Sequence, residues 1–233
     1  MLYPKPLVRA LLLRRYKRFL ADIRFEDGSE AVAHCANPGS MLGLAEPGTT
    51  VWLLPATGPG RKLAWSWELV DAGTSLVGIN TGHANRLAEE AILAGTIPAL
   101  SGYDTLRREV RYGESSRVDF VLETPGRPIC YVEVKSVTLS RQPGLAEFPD
   151  TATARGLKHL NELAAMAVAG ARAVLLYIIQ RGDCTGFAYT ADLDPAYMAA
   201  ARRVHAAGVE VLCHGCRVAP EGIVVSNALP LLI

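Results

Sequence analysis

A small β-barrel followed by an α/β domain with a mixed sheet is the architecture that this sequence predicts. Three observations predict it. Residues 1–75 carry short apolar runs punctuated by Gly- and Pro-containing turns, the pattern of a small all-β unit. Beyond residue 80 the order becomes helix, three strands, helix, strand, helix, strand, and such an order builds a sheet with helices packed on it. Within that second part Ala173 to Ile179 is continuously apolar, as expected of a central strand covered on both faces.

In chain order, Arg18 to Phe25 and Glu30 to Cys35 flank Glu26-Asp27-Gly28-Ser29 and predict a hairpin. Asn37-Pro38-Gly39-Ser40 and Glu46-Pro47-Gly48 are further turns. Val51 to Leu54 and the Trp-rich Leu63 to Val70 are strands, with a loop at 57–60 between them. A barrel of this size with basic strands and loops fits an oligonucleotide-binding (OB) fold, placed at 1–80. The α/β domain takes 81–233. Asn85 to Ala94 has helical spacing and stops at Gly95 and Pro98. Arg108 to Tyr112, Arg117 to Glu123 and Cys130 to Val137 follow as strands. Ala154 to Ala169 is a helix with Leu157, Leu160 and Leu163 on one stripe, ended by Gly170. Pro195 to Ala207 is another, with Pro in its first position behind Asp194. Val209 to Leu212 is a late strand. There are no repeats and no low-complexity tract.

Half of the residues are apolar, one fifth are charged, and the net charge is +1, so bulk charge points to no partner. Its distribution says more. Residues 1–20 contain Lys5, Arg9, Arg14, Arg15, Lys17 and Arg18 and no acid, and Arg61-Lys62 form a second cluster. Such clusters suit phosphate backbones; the other reading is a solvated surface or ion pairs to distant acids. No run approaches the roughly 20 apolar residues of a membrane span. The N-terminus lacks a signal-peptide pattern, and five cysteines without framework spacing read as reduced thiols, so the expected location is the cytoplasm. The lone Cys213-His214-Gly215-Cys216 has no second pair and reads as buried strand thiols rather than a zinc site. Neither GxxxxGK[ST] nor a strand–GxGxxG–helix occurs, which counts against a nucleotide cofactor.

The chemistry gathers on two strands. Period two puts Asp119, Val121 and Glu123 on one face, and Tyr131, Glu133 and Lys135 on one face of the next strand. Glu133 and Lys135 then lie roughly 7 Å apart along the strand, and the hairpin brings Asp119 beside them. Two carboxylates and a lysine suit metal-assisted phosphodiester hydrolysis: hard oxygen ligands for Mg²⁺ or Mn²⁺, and an ammonium to orient water or stabilise developing charge. A plain salt bridge of Lys135 with either acid is the competing reading. Asp, thirteen residues, then Glu-Val-Lys inside this element order is a far stronger signal than Glu-x-Lys alone.

Asp119 with Glu133-Val134-Lys135 resembles the PD-(D/E)xK nuclease superfamily, and the chain as a whole resembles the sugar fermentation stimulation protein A family. The resemblance covers nearly all 233 residues. It runs through Arg15-Tyr16-Lys17-Arg18-Phe19-Leu20-Ala21-Asp22, Asn37-Pro38-Gly39-Ser40-Met41, Arg61-Lys62-Leu63, Ser116-Arg117-Val118-Asp119-Phe120 and Tyr131-Val132-Glu133-Val134-Lys135. It continues in Phe148-Pro149-Asp150, Arg155-Gly156-Leu157-Lys158-His159-Leu160 and Gln180-Arg181. The resemblance implies an N-terminal OB-like barrel, a nuclease-like αβββαβ domain and DNA binding. The expected site has Asp119 and Glu133 as metal ligands with the Val134 carbonyl, and Lys135 positioning the attacking water. Glu90, on the preceding helix, is a further candidate acid, and His159 and Gln180 are possible supports. Arg14, Arg15, Lys17, Arg18, Arg61, Lys62, Arg155 and Lys158 are the candidate DNA contacts, mainly to the phosphate backbone. The alternative is a non-catalytic DNA-binding regulator of sugar-metabolism genes that keeps a nuclease scaffold. The sequence does not give the oligomeric state.

Overall fold

The computed structural model describes residues 1–56, 60, 62–113 and 116–232. The expected loop at 57–60 therefore falls mostly outside the described residues, and so does Arg61. Five strands close a barrel: β1 (Val8–Tyr16), β2 (Leu20–Arg24), β3 (Glu30–Cys35), β4 (Thr50–Pro55) and β5 (Trp65–Asp71), with β6 (Leu76–Gly78) added beside β5. Pairings β1–β2, β2–β3, β1–β4 and β4–β5 are antiparallel, and a parallel β3–β5 contact completes the ring. This is the OB-type barrel. Closure leaves the inward residues no route to water. Leu12, Ile23, Ala33, Val51, Leu53 and Trp67 are fully buried in the barrel core.

The N-terminal basic segment is itself β1, a strand that the sequence pattern did not announce. Its inward positions are Ala10 and Leu12, and Arg9 and Arg14 lie outside. The strand expected from Arg18 starts at Leu20, because Lys17 and Arg18 form the hairpin tip with φ of 49° and 62°. Two expected phosphate contacts are otherwise engaged. Arg14 pairs with Asp22 at 2.6 Å. Arg15 donates to the carbonyls of Arg18, Asn37, Gly39 and Ser40 at 2.9 to 3.1 Å. Its guanidinium thus ties the hairpin tip to the Asn37–Ser40 turn. Arg15→Ala should lower folding stability by about 2 kcal/mol, the scale of hydrogen bonds to a charged donor. Urea denaturation checks this, and an unchanged midpoint would return Arg15 to the surface-cation class.

The second unit has α1 (His83–Leu93), a single 3₁₀ turn at Pro98–Leu100, β7 (Thr105–Tyr112), β8 (Ser116–Glu123) and β9 (Cys130–Val137). Then come β10 (Leu139–Gln142), β11 (Leu145–Phe148), α2 (Ala154–Val168), β12 (Arg172–Ile179), β13 (Gly186–Tyr189), α3 (Pro195–Ala206), β14 (Glu210–Ala219) and β15 (Gly222–Ala228). The main sheet has the order β15-β14-β12-β9-β8-β7. It is mixed: β9–β12 and β12–β14 are parallel, and the outer pairs are antiparallel. Alternation on β12 serves both faces. Val174, Leu176 and Ile178 meet Leu87, Ala88 and Ala91 of α1. Leu175, Tyr177 and Ile179 meet Leu160 and Leu163 of α2 and Tyr197 and Val204 of α3.

The helix starts follow local chemistry. Thr153 caps α2 by accepting from the Gly156 N–H at 3.1 Å, and Asp194 caps α3 by accepting from the Tyr197 N–H at 2.9 Å. A three-stranded side sheet, β10-β11-β13, lies outside the sequence expectation. Barrel and second unit are joined by backbone: the Gly78 N–H donates to the Gln180 carbonyl at 2.9 Å, and Val77 bridges Arg181. Among the described residues no helix is long and apolar enough to cross a membrane.

Candidate metal and nucleic-acid site

The site forms where the β8–β9 ladder ends. Pairing runs Leu122–Cys130, Val121–Tyr131 and Phe120–Val132, and then stops. Beyond that point the Val134 N–H, which would continue the ladder, donates to Asp119 Oδ2 at 2.7 Å. Asp119 Oδ1 accepts from Asn85 Nδ2 of α1 at 2.7 Å. A side-chain carboxylate thus takes the place of a backbone acceptor, which fixes its orientation. Val134 itself is buried on the α1 face of the sheet. Glu133 and Lys135 point to the opposite face, as period two requires.

Glu133 is 3% exposed. Its Oε1 lies 2.7 Å from Lys135 Nζ and also meets His159 Nδ1 of α2. On the other edge of the ring, Arg155 Nε lies 3.4 Å from His159 Nε2. Glu133 Oε2 is buried and has no hydrogen-bond partner among the described residues. The two carboxylates are tuned apart. Burial, and then the Glu133 charge, raise Asp119 to about 6 against the lowering by its two donors and Lys135. Burial also pushes Glu133 upward, but the His159 hydrogen bond and the Lys135 charge together outweigh it and hold Glu133 below its ordinary value.

These groups open into a cavity of about 660 Å³. Arg117, Arg155 and Lys158 lie on its walls, beside the carboxylates of Asp119, Glu133 and Glu109. Arg117 is exposed, has no ion pair among the described residues, and stands opposite Arg111 across the β7–β8 ladder. Two like charges in register repel each other, a cost that a bound anion relieves. Glu109 sits in mid-strand with φ 52°, a backbone region that non-glycine residues rarely occupy. The sequence reading missed Asn85, Glu109 and Arg117.

Among the expected residues, Asp119, Glu133, Lys135, His159, Arg155 and Lys158 come together here. Glu90 does not. Its carboxylate pairs with the Met1 ammonium at 2.6 Å and with Arg86 at 2.9 Å, on the far part of α1. Gln180 does not line this cavity either; its Nε2 donates to Ser136 Oγ and to the Asn80 carbonyl at the junction of the two units. Lys17, Arg18 and Lys62 are exposed on the barrel, outside this cavity. Among the described residues no three of His, Cys, Asp and Glu stand close enough to form a ligand group by themselves.

The family model described as the sugar fermentation stimulation protein RE domain matches residues 82–222, and that of the SfsA N-terminal OB domain matches residues 13–79. A sugar fermentation stimulation protein homolog of Paramagnetospirillum magneticum is 55% identical over 96% of this chain and 94% of its own length. The homolog of Ruegeria sp. is 55% identical over 99% of this chain and 100% of its own. Among solved structures, Pyrococcus furiosus SfsA in complex with Ca²⁺ superposes with a TM-score of 0.90 at 27% identity, covering 100% of this chain and 98% of that one.

Proposed function

The chain belongs to the sugar fermentation stimulation protein family, and from that premise we propose that it is a DNA-binding protein with a divalent-metal-dependent nuclease site. The observation that carries this reading is the opened end of the β8–β9 ladder. There Asp119 and the buried Glu133, with its unpartnered Oε2, share one cavity with Lys135 and three wall cations. Burying an acceptor without a partner is costly, and a cation beside Oε2 would satisfy it. The donor set is oxygen only, as Mg²⁺ or Mn²⁺ prefers. The carbonyl of Val134 points to the same side of β9 as its N–H, toward the open ladder, and joins the two carboxylates as a candidate ligand. The Ca²⁺ complex of the archaeal relative supports a hard divalent ion of this kind.

A cation bound there would neutralise phosphate charge and lower the pKa of its water. The protein's own groups do the rest. Asn85 and the Val134 N–H hold Asp119 in place. His159 and Lys135 grip Glu133 through Oε1 alone, so Oε2 is left for the ligand. The Lys135 ammonium, 15% exposed, can turn toward an attacking water or toward the charge that develops on phosphorus. Arg117, Arg155 and Lys158 seat the phosphates.

One observation favours a second reading, a non-catalytic DNA-binding regulator of sugar-metabolism genes. Both Asp119 oxygens and Glu133 Oε1 already accept protein hydrogen bonds, so the scaffold holds together without a cation. Incubation with duplex, nicked and single-stranded DNA, with and without Mn²⁺, separates the two. Cleavage that needs both the cation and Asp119 supports the nuclease. Cation binding that needs Asp119, with no cleavage of any substrate, leaves the regulator.

Either reading expects mainly electrostatic DNA binding. If about four phosphates are neutralised, log affinity should fall with log salt at a slope of about −3.6. Salt titration on unrelated duplexes measures it. A flat response, or binding confined to one sequence, would remove the backbone-contact reading.

A further inference from the structure

We infer that the cleft between barrel and second unit is the path of a single DNA strand leading into the cavity of Asp119 and Glu133. The inference rests on the nuclease reading for its direction but on separate residues for its evidence. The cleft holds about 360 Å³. Arg18, Asn37 and Gly39 form its barrel wall, and Thr138, Thr151 and Thr153 lie on the other. Phe148 and Thr153 line both this cleft and the larger cavity, so the two are neighbours.

The chemistry changes along this route in the way that a nucleotide chain needs. At the outer end stands Arg18, exposed and without an ion pair among the described residues. At the inner end stand Arg155 and Lys158. Between the cations the cleft carries Ser and Thr hydroxyls and the Asn37 amide, beside the apolar Leu139, Phe148 and Pro149. Two carboxylates touch the cleft: Glu147, which pairs with Arg141 at 2.7 Å, and Asp150, which accepts from the Met41 N–H at 3.5 Å. Phosphates at the two ends and a nucleoside in the middle match this order. Outside the cleft's own lining, and following Arg18 in the chain, Phe19 is 45% exposed and stacks on the exposed His34, with centroids 6.4 Å apart and planes at 20°. An exposed ring beside a cation takes an unpaired base, and a paired duplex offers no base face to it.

Size agrees. A volume near 360 Å³ is at the small end of ligand pockets and is of nucleotide size. The walls are also held. Arg15 ties the carbonyls of Asn37, Gly39 and Ser40 together. A Cβ on Gly39 would lie 2.1 Å from Asp150 Oδ2, so barrel and second unit touch at the cleft floor.

The test is fluorescence anisotropy of the full chain in EDTA, with labelled oligo(dT) and a blunt duplex of equal length. Oligo(dT) should bind about tenfold more tightly than the duplex, the worth of one stacked base. Phe19→Ala and Thr151→Trp, which puts an indole into the cleft, should each lose about that factor for oligo(dT) and none for the duplex. The Mn²⁺-dependent melting shift should stay as in the parent. That shift reads only the Asp119–Glu133 site, so loss of either result leaves the other standing. Equal affinity for strand and duplex would overturn the inference, as would variants with native circular dichroism that bind oligo(dT) like the parent. Tighter binding of oligo(rU) than of oligo(dT) would overturn the assignment to DNA. Should Thr151→Trp fail to fold, Phe19→Ala and Arg18→Ala, both at exposed positions on the barrel, decide the matter.

Discussion

Asp119→Asn should abolish the thermal stabilisation that Mg²⁺ or Mn²⁺ confers on the parent protein. A cation that binds only the folded state stabilises it by about 2.7 kcal/mol at 100 times its Kd, which is roughly 5–10 °C in a chain of this size. The cost that the cation relieves is visible in the site. Asp119 is half buried beside the buried Glu133, and burial with the Glu133 charge raises its carboxyl to about 6. The sign follows directly. A carboxyl raised above its unfolded value contributes stability that is present below about pH 4 and is lost as pH rises through about 6. In the cation-free protein, the Asp119 contribution to stability should therefore decline across that interval, a decline that Asp119→Asn lacks. A divalent cation binds the ionised form, so its affinity should rise about tenfold per pH unit below 6 and level off above 7. The amide of the variant carries no charge and should flatten this profile. Asn can still accept from one of the two donors, Asn85 Nδ2 or the Val134 N–H, so the fold should persist by circular dichroism. Differential scanning calorimetry at several pH values, with and without Mn²⁺, reads all of this. A melting shift as large in the variant as in the parent would place the cation elsewhere.

How far the sequence could be read differs by element for physical reasons. Asp119, Glu133 and Lys135 were legible because strand period and one hairpin suffice to bring them together. The helices were legible because their stripes and caps are local. Barrel closure was less so, since the parallel β3–β5 contact joins segments with no local signal. The strands β10, β11 and β13 are four residues each, and their burial is set by their neighbours in space. Charge was the poorest guide. Arg15 and Arg18 look alike in sequence, yet one binds four carbonyls and the other faces the cleft. Likewise, Glu90 reads as a helical acid near the strands, but Asn85, earlier on α1, is the residue that reaches Asp119.

Lys135→Ala should separate binding from chemistry. The ammonium touches Glu133 Oε1 at 2.7 Å and no other carboxylate within ion-pair distance among the described residues. Its removal subtracts a positive charge next to the two carboxylates, so a cation should still bind, and more tightly. The Mn²⁺-dependent melting shift should be kept or enlarged. His159 stays on Glu133 Oε1 and continues to hold its orientation. Cleavage should nevertheless fall by a factor of about 10² or more, as happens when a group that acts mainly in the transition state is lost. Only such a group lowers the rate while leaving the ground-state ligand in place. Single-turnover cleavage beside melting curves for the parent, Asp119→Asn and Lys135→Ala makes the comparison. If Lys135→Ala loses the melting shift together with the activity, Lys135 is a structural partner of Glu133. If it cleaves as fast as the parent, the ammonium has no part in the reaction. The ordering that supports the nuclease is metal and cleavage in the parent, metal alone in Lys135→Ala, and neither in Asp119→Asn.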